Sequence, residues 1–155
     1  MNIRLAREGD IPALVRLLEQ VLDLHHAGRP DIFRSHTKKY SETELQAILQ
    51  DENTPVFVAD GGEIFGYAFC ILQEKKNDSL FQDRKSLYID DLCVDEGCRG
   101  QGIGKALFAF VKAYADSIGC HSVTLNVWAF NESALNFYRS CGMEPLKYVM
   151  ELKTP

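Results

Sequence analysis

The chain predicts an α/β fold of mixed α+β character: one domain over residues 1–155, with a mixed, mostly antiparallel central sheet and helices on both faces. Three observations carry this. Apolar residues switch repeatedly between a period near two and a period near 3.6, in the order β-α-α-β-β-β-α-β-α-β. Gly61-Gly62 separates two strand-like runs, which marks an antiparallel hairpin. Residues 88–108 read as a buried strand, a glycine-rich turn and an amphipathic helix. No internal repeat, low-complexity tract or interdomain linker interrupts the pattern.

Ile3-Arg4-Leu5-Ala6 reads as a first strand. Residues 11–25 place Ile11, Leu14, Leu18, Val21 or Leu22, and His25 on one helical face, with Asp10 as the expected N-cap and Pro12 in the first turn. Residues 27–41 lack periodicity. Ser41, followed three residues later by Glu44, is a capping box that opens a short helix to Gln50. Residues 55–60 form a strand, Glu63–Gln73 its longer partner, and Lys75–Lys85 a polar connection. After the strand at 88–94 come a helix over 102–118, a strand over 121–127, a helix over 131–141 and a final strand near 146–152.

Composition excludes several classes. The net charge of −5 argues against a nucleic-acid surface and favours cationic partners. No apolar run is long enough to cross a membrane and no basic-then-apolar leader precedes the domain, so a cytoplasmic protein without a membrane partner is expected. The five cysteines include no C-x-x-C pair, so neither a disulfide framework nor a metal site is expected. Cys70 and Cys93 sit in apolar strands as core residues, and Cys120-His121 reads as a turn.

The glycine turn is where chemistry concentrates. Gly100, Gly102 and Gly104 alternate where a helix begins, which bares backbone N–H groups at a positive dipole end and suits a diphosphate. It is not a Walker A loop: Arg99 stands where that motif needs Gly, and Ala106 where it needs Ser or Thr. Nor is it G-x-G-x-x-G, because Leu107, or Lys105 in the other register, occupies the third glycine position.

What remains, Arg99-x-x-Gly102-x-Gly104 after Leu92-Cys93-Val94, resembles the acetyl-CoA signature of the GCN5-related N-acetyltransferase (GNAT) superfamily. A second stretch, Asn131-Glu132-Ser133-Ala134-Leu135-Asn136-Phe137-Tyr138-Arg139-Ser140-Cys141-Gly142-Met143, is similar to that family's N-x-x-A-x-x-F-Y-x-x-x-G-F, with Met143 in place of the last Phe. The resemblance spans essentially the whole chain. It implies a GNAT-like fold and direct transfer of acetyl from acetyl-CoA to a primary amine of a small molecule or peptide, in a ternary complex and without a metal. It also leaves room for a homodimer, and for a module that binds acetyl-CoA without turnover.

By the same resemblance, backbone groups of Leu92, Cys93 and Val94 hold the pantetheine, with Val94 N–H facing the developing oxyanion. Arg99, Gly100, Gln101, Gly102, Ile103 and Gly104 cradle the diphosphate, and Lys105 neutralises a phosphate. Asn131 and Ala134 border the pantetheine arm; Asn131 is equally an N-cap, and Arg139 either reaches the nucleotide or is solvated. Tyr138 protonates the departing sulfur. An ammonium with a pKa near ~10.4 must lose a proton before it can attack. Asp90 and Asp91 are adjacent acids in an apolar strand, costly to bury without partners and expected on opposite sheet faces, with Tyr88, Leu92 and Val94 on the side of Asp90. They look like the acidic pair of polyamine-acetylating relatives, with Asp90 as base and Asp91 steering a cation. His25, Arg29 and Asp31 follow the first helix, where the family lines its acceptor pocket; Arg29 pairing with Asp31 is the competing reading.

Overall fold

A computed structural model describes all of residues 1–155. Five strands, β1 (Asn2–Leu5), β2 (Val56–Asp60), β3 (Ile64–Lys75), β4 (Arg84–Val94) and β5 (Ser122–Leu125), form one sheet in sequence order. All neighbours are antiparallel except β4 and β5, which run parallel. That single parallel step needs a crossover, and α3 (Ile103–Ser117) provides it. The other helices are α1 (Ile11–Gly28), α2 (Glu42–Gln50) and α4 (Glu132–Ser140).

The β2–β3 alternation sorts two cores onto opposite faces. Val56, Val58, Tyr67 and Phe69 pack with Ile11, Leu14, Leu17 and Leu18 of α1 and Leu45 of α2. Phe57, Ala68 and Cys70 pack with Phe108, Val111 and Ala115 of α3, with Phe137 and Tyr138 of α4 against them. Each buried leucine or isoleucine of α1 contributes about 2 kcal/mol by leaving water, enough in sum to fix the helix. Leu17 extends the face expected from the sequence. On α3 the choice between Phe110 and Val111 falls to Val111, and Phe110 is exposed.

The Ser41–Glu44 capping box forms, with Glu44 N–H donating to Ser41 Oγ at 3.1 Å. Asp10 does something other than cap α1. It ends a 3₁₀ turn (Glu8–Asp10) that runs straight into the helix, and its carboxylate takes two Arg4 bonds, at 2.8 and 3.0 Å, and the Arg7 N–H at 2.7 Å. Charge-assisted bonds to Arg4 outcompete a single capping bond.

Gly66 shows how tightly α3 seats on the sheet. A Cβ there would lie 2.7 Å from the Cys93 carbonyl oxygen and 3.1 Å from Leu107 Cδ1. Gly66→Ala is expected to cost about 1–3 kcal/mol through overpacking, measured by urea denaturation.

Two expectations are corrected. The alternation along β4 breaks, because Phe69 pairs with Asp91 and Cys70 with Ile89, leaving Asp90 as the extra residue of a β-bulge. Leu87 and Ile89 therefore face α3, whereas Cys93 faces α1. Asp90 and Asp91 consequently point to the same face rather than opposite ones, and Asp90 does not share a face with Leu92, which packs toward α3. The final strand near 146–152 also does not form within the chain. Residues 144–155 are all exposed and make no backbone hydrogen bond, since a strand exists only where an edge supplies its partners.

Candidate active site

Pairing between β4 and β5 stops at Ile89 opposite Leu125, while β4 runs on to Val94. A cleft opens between the strands from that point. Asp95 N–H donates to the Phe65 carbonyl at 2.8 Å, so in the alternating ladder the peptide groups of residues 93 and 95 face β3. Those of Leu92 and Val94 face the cleft and have no strand opposite them. An extended ligand with amide groups fits there as a substitute strand.

Below the cleft a second 3₁₀ turn, Glu96–Cys98, carries the chain into the glycine loop. Asp95 fixes it by accepting from Gly97 N–H at 3.1 Å and from the Arg16 guanidinium, while Glu96 N–H donates to Gln20 Oε1 at 3.3 Å. Gly100 and Gly102 take the left-handed conformation, with φ of 79° and 80°. Gly102 is the N-cap of α3, and the N–H groups of Gly102, Ile103, Gly104 and Lys105 have no partner in the chain. Arg99 Nε donates to the Val94 carbonyl at 3.3 Å, which ties the loop back to the cleft strand. These unpaired donors at a helix N-terminus, with no side chain over Gly100 or Gly102, fit a diphosphate. Gly104 packs against α4: a Cβ there would sit 3.2 Å from the Phe137 ring.

Across the cleft α4 begins at Asn131, whose Oδ1 accepts from Ala134 N–H at 3.1 Å. The expected cap is made, and the amide NH₂ of Asn131 stays available. Tyr138 lies between the rings of Phe137 (5.1 Å) and Phe108 (6.3 Å). Burial, followed by the nearby Asp91 carboxylate, pushes its hydroxyl well above the ordinary phenol pKa. Tyr138 therefore keeps its proton at neutral pH. Arg139 and Lys105 are exposed.

The bulge turns the acids into a shared site. Asp91 Oδ2 accepts from Tyr67 OH at 2.6 Å, whereas Asp90 Oδ2 accepts from Lys39 Nζ at 3.0 Å and Tyr40 OH at 3.1 Å. Burial raises the Asp91 carboxyl pKa above the usual aspartate value, against the pull of Lys39 and the Tyr67 bond. Burial works against the Lys39 ammonium, but Asp91 and then Asp90 outweigh it and its pKa is raised. The acid pair thus already holds a primary ammonium, one supplied by the chain itself. Burial also pushes the Cys93 thiol up to about 12, so it remains protonated.

Beside Lys39 stands an aromatic wall. His25 lies 4.9 Å from Phe33, 6.3 Å from Phe130 and 6.5 Å from Trp128, and Trp128 stacks on Phe130 at 6.0 Å. Burial and the Lys39 charge lower the His25 pKa, which keeps the ring neutral. One turn further on, Arg29 engages Asp31 at 2.8 and 2.9 Å and Glu151 at 3.0 Å. The structure therefore brings Asp90, Asp91 and His25 to one region and closes Arg29 and Asp31 on each other. Sequence reasoning missed Lys39, Tyr40, Tyr67, Trp128 and Phe130. Tyr40 had a readable signal: it precedes the Ser41 cap, and with Leu45 it makes a hydrophobic staple pattern.

No three His, Cys, Asp or Glu side chains converge as a metal site, and no helix is long and apolar enough to cross a membrane.

Comparison with known proteins finds relatives along the whole of this fold. The sequence matches the acetyltransferase (GNAT) family over residues 18–143. Thialysine N-epsilon-acetyltransferase of Mus musculus is 30% identical over 157 residues, covering 94% of this chain and 85% of that protein. A mutant of the BH1408 protein from Bacillus halodurans superposes with a TM-score of 0.96 at 37% identity, over 100% of both chains. Aminoglycoside N-acetyltransferase AAC(6')-Iy, solved in complex with CoA, shares the fold at a TM-score of 0.73 and 17% identity, over 99% of each chain.

Proposed function

The chain belongs to the acetyltransferase (GNAT) family, and on that footing we propose that it acetylates the primary amine of a lysine-like or other small cationic alkylamine. The carrying observation is Lys39: its Nζ sits 3.0 Å from Asp90, and the Asp91 charge acts on it as well. A site that binds one alkylammonium in this way is built to bind another. The name of the mouse relative, a thialysine N-epsilon-acetyltransferase, supports the same substrate class. The aromatic wall of His25, Phe33, Trp128 and Phe130 adds ring faces that favour a cation. Arg29 and Asp31 form the outer rim of this pocket.

The glycine loop and the cleft strand hold acetyl-CoA, with the diphosphate on the N–H groups of Gly102–Lys105 and the pantetheine along Leu92 and Val94. Asn131 and Ala134 flank that arm. When bound, acetyl-CoA supplies a thioester that an amine can attack. Asp90 anchors the incoming ammonium in place of Lys39. Asp91 takes its proton: burial raises the carboxyl above the usual aspartate value, and its charge acts on Tyr138. This reverses the division of labour expected from the sequence. Tyr138 OH gives its proton to the departing sulfur, and the second proton shed by the attacking nitrogen restores the phenol. With its thiol pKa pushed up to about 12, Cys93 offers no thiolate, which favours direct transfer over an acyl-enzyme.

The test is thiol release from acetyl-CoA across a panel of alkylamines, amino acids and peptides, beside calorimetric titration with CoA. CoA binding with turnover only on alkylamines is the expected result. Binding without turnover on any amine overturns the enzymatic reading, and turnover confined to α-amines overturns the substrate class.

A further inference from the structure

Tyr67 is a phenol at a place where packing asks only for a ring. It lies on β3 with no exposed surface, in the cluster of Leu14, Leu17, Leu18 and Val58, and its ring meets Phe69 edge-on at 4.9 Å. Phenylalanine would fill that volume, and a hydroxyl buried there is costly unless it finds a partner. Asp91 is that partner, at 2.6 Å. The register makes the contact. Asp91 stands directly across from Phe69, so Tyr67, two residues back on the same face, reaches it along the diagonal.

The other groups around Asp91 do not share this bond. The hydroxyls of Tyr40, Tyr88 and Tyr138 and the Cys93 thiol feel its charge, which helps burial raise their pKa values, and none donates to it. Asp90 and Lys39 are its charged neighbours, but Lys39 Nζ is bonded to Asp90 and leaves when the acceptor's ammonium arrives. From α1, Leu14, Leu17 and Leu18 face this side of the sheet. Beyond Tyr67, Asp91 has only the backbone N–H of Leu92 to support its charge by hydrogen bonding. Burial, then the Asp91 charge, holds the Tyr67 hydroxyl well above the ordinary phenol pKa, so it stays a donor.

We infer that Tyr67 is a positioning residue for acetyl transfer: its hydroxyl occupies Oδ2 of Asp91 and leaves Oδ1 to receive the proton of the acceptor's ammonium. This role rests on Asp91 being the base. The bond fixes the carboxylate in one orientation before and after Lys39 is displaced. It also favours the ionised form, which offsets part of the effect of burial and keeps more of the base ready at neutral pH.

Tyr67→Phe keeps the ring and removes the donor. Two readouts are compared with the intact chain: the titration of the Asp91 carboxyl carbon by NMR, assigned by its loss in Asp91→Asn, and the pH profile of kcat/KM on an alkylamine. Both the titration and the acidic limb are expected to move up by about one pH unit, so the rate falls about tenfold below the limb and less above it. In the Asp91→Asn background the same substitution is expected to cost little more, because the bond's charged partner is already gone. A carboxyl that does not move overturns the role of Tyr67 and leaves Asp91 standing as base. A carboxyl that moves beneath an unmoved limb overturns it by removing Asp91 from the mechanism. An equal loss at every pH, or an equal loss in both backgrounds, reduces Tyr67 to packing and overturns it as well.

Discussion

Replacing Tyr138 by Phe is expected to lower kcat by roughly 10²–10³-fold while leaving CoA affinity unchanged. The ring remains between Phe108 and Phe137, so packing survives; only the hydroxyl is lost. That hydroxyl is protonated at neutral pH because burial and the Asp91 charge hold its pKa up. A raised pKa makes the phenol a weak acid in isolation, but a departing thiolate, with its parent thiol near ~8.5, pulls the proton once the C–S bond breaks. The readout is steady-state kinetics together with calorimetry. Full kcat in the Phe variant removes Tyr138 from proton transfer, and a loss confined to KM assigns it to binding alone.

The elements that position this chemistry are legible in the sequence because each has a local signature. The Ser41–Glu44 box, the Gly61-Gly62 turn and the strand–glycine–helix run at 88–108 depend on residues close in sequence, and all form where expected. What escapes a sequence reading is non-local. The bulge at Asp90 is a mismatch between β3 and β4, and nothing within residues 88–94 announces which residue is left over. Once Asp90 is bulged, two acids expected on opposite faces share one, and Lys39 and Tyr40 from an aperiodic segment come to meet them. The aromatic wall has the same character: Phe33, Trp128 and Phe130 sit in loops without period and converge only in three dimensions. Residues 146–152 are the opposite case. Their alternation is that of a strand, yet their backbone stays unpaired although β5 keeps an open edge.

Replacing Asp91 by Asn is expected to cut kcat/KM by about 10²-fold or more and, at neutral pH, to raise Tm. The two effects share one cause. Burial raises the Asp91 carboxyl pKa, so the folded chain binds that proton more tightly than the unfolded chain does. The stability this contributes is complete below the unfolded pKa and is lost as pH rises through the folded value, so the ionised group is a net cost at neutral pH. Asparagine keeps an acceptor for the 2.6 Å bond from Tyr67 OH and removes the buried charge. Activity depends on pH in the reverse sense, because the base must be ionised. In the wild-type chain the rate falls as pH drops through the raised Asp91 value, above where an exposed aspartate would place that limb. In the Asn variant the limb disappears and the residual rate follows only the ionisation of the free amine. Asp90→Asn separates the roles: it leaves Asp91 in place and removes the negative charge that pairs with Lys39 Nζ, so the KM for the amine rises more than kcat falls. If Asp90→Asn abolished the acidic limb while Asp91→Asn preserved it, the base would be Asp90. An Asp91→Asn variant less stable than the wild type at neutral pH would show that Lys39 outweighs burial at this carboxyl.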